Sequence, residues 1–219
     1  MTDSYEIGGI LPDDTIDELR PGTNVAVIGS SHSGKRHVAL QLVAAGYDVD
    51  EGILCITTNS ARRVFEDLDR HIDAMNRDRI GVIDCSGTGG GSVIEAMTES
   101  ASSPGDLTGI SIGTAKLSKR FHSRGVSDIR YGLVSISTLL QYVDESTVFR
   151  FLHVFTNRVS ETDGLGVYTL TDDTHDATTV NTIRGQFDGV VELRERDDGT
   201  RECRVRGLGS APSGWNVFE

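Results

Sequence analysis

A short apolar run, a glycine-rich loop and a lysine together constrain this chain more than any other feature. Residues 24–28 (NVAVI) are mostly β-branched and apolar, which is typical of a buried strand. They lead into the loop of residues 29–34 (GSSHSG), and Lys35 then opens a helical pattern that runs to about Ala45. A strand, a G-x-x-x-x-G-K loop and a helix in this order make the phosphate-binding P-loop, in which backbone N–H groups and the positive end of the helix face an anion.

We predict that a run of consecutive loop residues holds the phosphates of ATP or ADP: Gly29, Ser30, Ser31, His32, Ser33, Gly34, Lys35 and Arg36. Lys35 is expected to reach the β- and γ-phosphates. The motif normally ends in Ser or Thr, whose hydroxyl holds Mg²⁺. Arg36 stands there instead, and it has no acceptor atom for a metal. It either pairs with phosphate oxygens or extends into solvent, and His32 either contacts phosphate or is a surface histidine.

The composition of the chain limits the kinds of binding partner and the cellular compartment that we expect for this protein. The formal net charge is −12, with only 3 lysines against 18 arginines, which disfavours nucleic acid. The scarcity of lysine favours a protein from a salt-adapted cytoplasm over an ordinary acidic protein. No apolar run approaches the roughly 18 residues of a membrane span, and residues 1–9 are too polar for a signal peptide. We therefore expect a cytoplasmic protein without membrane contact, in which the widely spaced Cys55, Cys85 and Cys203 are buried, inert thiols.

The order of patterns predicts an α/β fold with a mostly parallel central sheet, helices on both faces and a C-terminal β-hairpin. The length fits one domain of residues 1–219, with residues 1–20 as an N-terminal extension. A linker is favoured over a second phosphate loop at residues 86–91. The predicted helices cover about residues 12–19, 35–45, 60–75, 92–100, 107–122, 144–159 and 175–187, and the predicted strands about residues 24–28, 53–57, 79–84, 131–137, 166–170, 190–196, 201–206 and 215–218.

Several stretches besides the P-loop carry a resemblance to a known family. They are residues 21–22 (PG), 39–42 (ALQL), 130–140 (RYGLVSISTLL), 149–159, 187–191 (FDGVV) and 204–207 (RVRG). Over about residues 20–209 the chain resembles the KaiC-like branch of the RecA-fold ATPases, and within it the single-domain haloarchaeal members. The resemblance implies a RecA-like fold, ATP or ADP as ligand, and assembly into a homo-oligomer or with a partner protein.

The chain departs from the family where hydrolysis is carried out. The family's Walker B strand ends in Asp before Ser, whereas Val134 precedes Ser135 here. A stretch of residues 57–59 (TTN) replaces the family's pair of catalytic glutamates, so no general base is evident. We therefore expect a hydrolysis-impaired nucleotide-binding protein, at most a weak ATPase with a doubtful Mg²⁺ site, that serves as a regulatory or assembly module.

Three further points stay open at this level. Asp84 ends an apolar run and either serves as a relocated acid in an active ATPase or caps the following turn. Asp172, at the end of residues 167–172, fits the same pattern more loosely. The chain could also be an interaction scaffold without nucleotide. Arg204 and Arg206 share one strand face; the resemblance implies a phosphate contact to a neighbouring subunit, while the alternating charges of the hairpin equally fit a solvated edge.

Overall fold

The computed structural model describes residues 2–11, 16–87, 97–209 and 212–218. Within these residues a nine-stranded sheet has the order β11-β10-β9-β3-β8-β7-β4-β5-β6, and a separate ribbon pairs β1 with β2. The strands are β1 (Tyr5–Glu6), β2 (Glu18–Leu19), β3 (Asn24–Gly29), β4 (Gly52–Thr57), β5 (Ile80–Asp84), β6 (Thr98–Ser100), β7 (Ile129–Val134), β8 (Leu165–Thr171), β9 (Gly189–Glu195), β10 (Arg201–Arg206) and β11 (Asn216–Val217). The helices are α1 (Lys35–Ala44), α2 (Ala61–Leu68), α3 (Leu107–Ser123), α4 (Ile136–Tyr142), α5 (Glu145–Glu161) and α6 (Ala177–Arg184), with a 3-10 turn at Arg77–Arg79.

The strands from β9 to β6 run parallel, and β10 and β11 continue the sheet in antiparallel pairing. Successive side chains of a strand point to opposite faces. On β3, Val25 and Val27 accordingly join the core beneath α1 and α2, while Ala26 and Ile28 join the core beneath α3, α4 and α5. Both faces are covered, so the central strands are buried along their whole length. The predicted mostly parallel α/β sheet with a terminal hairpin is confirmed.

The carboxyl ends of β3, β8, β7 and β4 lie side by side because these four strands are neighbours and parallel. Thr57 at the end of β4 is level with Val134 at the end of β7. Gly29 at the end of β3 is level with Thr171 at the end of β8. The loops that leave these strands therefore meet at one edge of the sheet, where α/β folds place their ligands.

Four local predictions are wrong. The end of the predicted helix at 12–19 is the strand β2, because Glu18 and Leu19 pair with β1; residues 12–15 lie outside the described residues. Residues 98–100 form β6 along the edge of β5 rather than the end of a helix, and residues 92–96 are not described.

The other two corrections concern where an element ends. The helix predicted over residues 60–75 is α2, which ends at Leu68, although Ile72 still packs in the core. The strand expected over 131–137 ends at Val134, because Ser135 caps α4. Most of the loop at 86–91 lies outside the described residues.

A buried arginine fastens the N-terminal ribbon to the sheet. Arg130 of β7 is fully buried and forms an ion pair with Glu51. Its guanidinium also donates to the carbonyl oxygens of Leu42 at 2.7 Å and Glu6 at 2.9 Å, and it lies 5.4 Å from the ring centroid of Tyr5. One side chain thus joins four separate segments of the chain.

The cysteines and the helices agree with two further predictions. All three cysteines are buried, and burial raises the pKa of the Cys55 and Cys85 thiols to about 12. None of the helices in the described ranges is both long enough and apolar enough to cross a membrane.

Candidate functional site

The loop of residues 29–34 turns sharply from β3 into α1. A Cβ atom at Gly29 would lie 2.6 Å from the carbonyl oxygen of Leu193 on β9, so only glycine fits there. Gly34 is the N-cap of α1 with φ +84°, a left-handed conformation that favours glycine. No side chain of the described residues caps this helix, so its first N–H groups are left to a ligand or to water.

Lys35 folds back over the loop. Its Nζ donates a 2.7 Å hydrogen bond to the carbonyl oxygen of Ser30, and the residue is only 7% exposed. Burial lowers the pKa of Lys35, and the nearby carboxylates of Asp173 and Asp172 oppose that shift. The ammonium group is therefore held at the centre of the loop, where it would meet a phosphate.

Two carboxylates at the end of β8 accompany the loop, and the sequence patterns gave them little weight. Asp173 accepts hydrogen bonds from the backbone N–H and the hydroxyl of Ser31, each at 3.1 Å, and these bonds lower the pKa of its carboxyl group. Burial raises the pKa of the neighbouring Asp172. The acids whose charges act on Lys35 thus directly follow β8, the strand beside β3.

Arg36 points neither into open solvent nor along the loop. Its Nε and Nη2 donate to Oδ2 of Asp67 on α2, at 3.0 and 2.7 Å. Asp67 is 8% exposed and also forms an ion pair with Arg70, whose Nη1 lies 3.4 Å from Oδ1 of Asp67. Arg36 therefore stands at the position of α1 where the P-loop motif has the metal-binding hydroxyl, but its guanidinium is paired with a carboxylate of α2 that could not be identified from the sequence.

The other departures from the resembled family lie beside this pair. The backbone N–H of Thr58 donates to the carbonyl oxygen of Val134 at 3.1 Å, which joins the ends of β4 and β7. Ser135 caps α4 by accepting from the N–H of Thr138. Val134 and the backbone after β4 therefore meet where the family has carboxylates.

A cavity of about 490 Å³ gathers these groups. Its lining includes Ser31, His32, Gly34, Lys35, Arg36, His37, Thr58, Asn59, Arg63, Asp67, Arg70, His71, Val134, Ser135, Thr138, Thr169 and Thr171. His32 is exposed at the loop. The hydroxyl of Thr169 is buried in the lining and has no hydrogen-bond partner among the described residues; the same is true of Ser33 within the loop. A cavity with unpaired hydroxyls and basic side chains suits a polar, anionic ligand.

Asp84 belongs to another part of the fold. Its carboxylate accepts from the N–H of Ala61 at 2.8 Å, at the start of α2, and from the N–H of Ser86 at 2.8 Å. Strand β5, which ends at Asp84, is separated from β3 by β4, β7 and β8. The residue is absent from the lining of the cavity and caps a helix and a turn, which is the structural alternative raised from the sequence.

Arg204 and Arg206 share one face of β10 and both contact Glu192 of β9. Arg204 donates to this carboxylate, and Nε of Arg206 lies 3.3 Å from it. The guanidinium of Arg204 also stacks 4.4 Å from the ring centroid of Trp215, and that of Arg194 stacks 4.0 Å from the same ring. Within this chain the two arginines belong to a charged network at the edge of the sheet, outside the lining of the cavity.

The residues present do not fit a conventional Mg²⁺ site. Magnesium takes hard oxygen ligands in octahedral geometry. Arg36 offers no oxygen, Val134 has an apolar side chain, and Asp67 already binds two guanidinium groups. Among the described residues, no group of three or more His, Cys, Asp or Glu side chains is arranged to hold a metal ion.

Comparison with known proteins places this site in a family. A family model described as a family of unknown function (DUF7504) matches residues 22–193, well over half of the chain. The chain belongs to the DUF7504 family. The matched part includes the loop of residues 29–36, Asp67, Val134 and Asp173, and it ends before β10.

Solved structures show the fold of this DUF7504 protein. A KaiC-like protein from the hyperthermophilic archaeon Pyrococcus horikoshii OT3 superposes with a TM-score of 0.67 at 15% identity, covering 99% of this chain and 95% of the other. The predicted RecA-like fold is therefore confirmed. No curated protein sequence gives a significant match to the chain.

Proposed function

We propose that this DUF7504 protein binds ATP or ADP over residues 29–36. The observation that carries the proposal is the position of Lys35, whose buried ammonium group lies 2.7 Å from the loop carbonyl of Ser30 at the open start of α1. A phosphate chain there would exchange the Ser30 contact for a stronger, charge-assisted one. The similarity of the fold to a KaiC-like protein supports the same proposal.

We propose further that the protein hydrolyses nucleotide slowly or not at all. Arg36, Val134 and the stretch at Thr58 all line the one cavity beside Lys35, so the three sequence departures are a single, local change. The one carboxylate in the lining among the described residues is Asp67, which two arginines engage. A carboxylate held in this way is a poor general base for water.

Nucleotide binding without a divalent cation is part of the same proposal. Arg36 stands at the position of α1 where the motif has the metal-binding hydroxyl, and its guanidinium pairs with Asp67 of α2. We therefore propose that Arg36 takes over part of the charge neutralisation, and that Mg²⁺ adds little to the affinity for ATP.

The alternative of an active ATPase would rest on Asp172, the looser match to the sequence pattern, or on Asp173, rather than on Asp84. Asp84 is committed to the start of α2, whereas Asp172 and Asp173 lie near Lys35. Phosphate release lost in Asp172→Asn but retained in Asp84→Asn would support this alternative.

The biological setting is also a proposal. The net charge of −12 and the scarcity of lysine support a haloarchaeal, cytoplasmic protein. We propose a one-domain module that forms a homo-oligomer or binds a partner protein, with nucleotide favouring one assembly state. In this role Arg204 and Arg206 would exchange Glu192 for a group of the neighbouring subunit.

Equilibrium binding of ATP in concentrated KCl tests the central proposal. Lys35→Ala should reduce the affinity at least about tenfold, because one charge-assisted contact is lost. Lys116→Ala is the matched control, since this lysine lies on α3, away from the cavity, and pairs with Glu99 of β6. Absence of ATP binding, or equal affinities in the wild type and Lys35→Ala, would refute nucleotide binding at this loop.

A further inference from the structure

The side of the cavity that α2 lines carries basic groups that the nucleotide proposal does not use. On α2 and the turn after it, Arg63, Asp67 and the pair Arg70–His71 recur at the spacing of one helix face. His37 of α1 opposes this face, and the ring centroids of His37 and His71 lie 4.9 Å apart. Two helices therefore present cationic and imidazole groups to the same space.

The charge of the cavity lining is opposite to that of the whole chain. Four Lys or Arg side chains line the cavity: Lys35, Arg36, Arg63 and Arg70. Asp67 is the single Asp or Glu in the lining among the described residues, and the chain as a whole has a net charge of −12. A local excess of positive charge in a strongly acidic protein marks a place where an anion is favoured.

The basic side chains that line the cavity differ in whether they already contact an acidic side chain. Arg36 and Arg70 both contact Asp67, but Arg63 has an exposed side chain that lines the cavity. Burial lowers the pKa of His71, and the neighbouring His37 and Arg70 lower it further. The two rings are in contact, so an oxyanion would bind beside them, where its negative charge would favour protonated His71.

We propose that the space between α1 and α2, bounded by His37, Arg63 and His71, is a second anion site that takes a phosphate group. The group binds as a dianion through charge-assisted hydrogen bonds from Arg63 and the imidazoles. This second anion site is distinct from the loop that Lys35 serves, and it does not depend on nucleotide binding.

Titration calorimetry with inorganic phosphate, on ADP-saturated protein at constant ionic strength, tests the second anion site. Phosphate should bind, and Arg63→Ala and His71→Gln should each weaken it about tenfold or more. The matched control is Arg62→Ala, because Arg62 lies on the solvent side of α2, 86% exposed and paired with Glu66. That variant should keep the wild-type affinity for phosphate.

The Lys35→Ala variant separates this proposal from nucleotide binding. In that variant, without ADP, phosphate should bind with unchanged affinity even though ATP binding is lost. Loss of phosphate binding in Lys35→Ala would assign the anion to the P-loop alone and overturn the proposal. Unchanged binding in Arg63→Ala, or no binding of phosphate to the wild type, would overturn it as well.

The source of the phosphate group is distinguished by a second probe. Adenosine 3′,5′-bisphosphate carries phosphates at two ends and would reach both sites if the group belongs to the nucleotide. Its affinity should then fall in both Lys35→Ala and Arg63→Ala, and free phosphate should compete with it. If it binds through Lys35 only, while free phosphate still requires Arg63, the second anion site holds an independent phosphate.

Discussion

Arg36 and Asp67 hold each other across the gap between α1 and α2, through two hydrogen bonds of 3.0 and 2.7 Å to one carboxylate oxygen. The residue that breaks the P-loop motif is therefore part of the packing of the first helix against the second. A substitution to Ser or Thr would remove a cation from a carboxylate that is 8% exposed. Restoring the motif thus has a structural cost in this fold.

The first prediction concerns the metal. Wild-type protein should bind ATP with similar affinity in Mg²⁺ and in EDTA, because Arg36 replaces the metal-binding hydroxyl of the motif and Val134 offers no carboxylate to a metal. In the double variant Arg36→Thr/Val134→Asp, a hydroxyl and a carboxylate return to the two positions, and the affinity for ATP should become dependent on Mg²⁺. Binding measured in both conditions checks this, and a strong Mg²⁺ requirement in the wild type would contradict it.

The second prediction concerns the turn into α1. Gly34→Ala forces a side chain into a conformation with φ +84°, which should cost about 1–2 kcal/mol of unfolding free energy and weaken ATP binding. Gly125→Ala is the matched control: its φ is +82° and no atom lies within 4 Å of an added Cβ, so it should lose similar stability. Denaturant unfolding measures the loss of stability in both variants, and ATP titration measures the affinity. Only Gly34→Ala should weaken ATP binding, whereas Gly125→Ala should leave the ATP affinity unchanged.

The third prediction concerns the buried ion pair beneath the N-terminal ribbon. Glu51→Gln leaves the fully buried guanidinium of Arg130 without its counter-charge, and it should destabilise the fold by about 3–5 kcal/mol. Arg62→Ala, which breaks an exposed pair, should cost about 0–1 kcal/mol. Chemical denaturation measures both, and an equally small effect at Glu51 would show that Arg130 is satisfied by its carbonyl contacts alone.

The fourth prediction concerns pH. The pKa of His71 in the folded state is lower than its ordinary value of 6.5, so below that pH the unfolded chain binds the proton more readily than the folded one. This contribution should make stability fall as the pH drops from about 6.5. The charged groups around the ring are His37 and Arg70, which lower its pKa, and Asp67, which raises it.

His71→Gln should flatten this part of the stability profile, measured by denaturant unfolding between about pH 7 and pH 5. His153→Gln serves as the control, since His153 lies on α5 and contacts Asn157 rather than the cavity. An identical slope in the wild type and in His71→Gln would show that the histidine pair does not set the acid sensitivity.

Local patterns predicted the elements that depend on local physics. The β-branched run before Gly29 and the left-handed glycine before Lys35 specify a strand, a turn and a helix within a dozen residues, and the structure has them there. The role of Asp84 as a cap could also be proposed from the sequence, because an aspartate at the end of a strand commonly binds nearby N–H groups. The short strands β2 and β6 were missed, since two or three residues have no periodicity to detect.

The partners of the site residues could not be predicted in the same way. Asp67 lies 31 positions from Arg36, and Asp173 lies 142 positions from Ser31. Nothing in a single sequence states which helix face meets which loop. Because β8 is the neighbour of β3 in the sheet, Asp172 and Asp173 lie near Lys35. Asp84 ends β5, and three strands lie between β5 and β3. The order of the strands in the sheet, rather than the sequence motif, decides which acid is close to the loop.

The chain contains a single tryptophan, and its indole stacks on the guanidinium groups of Arg194 and Arg204. Indole emission responds to nearby cations and to exposure to water. The edge of the sheet at β10 therefore has a built-in optical probe, and fluorescence of unlabelled protein should report, in real time, any subunit or partner that draws Arg204 away from the ring.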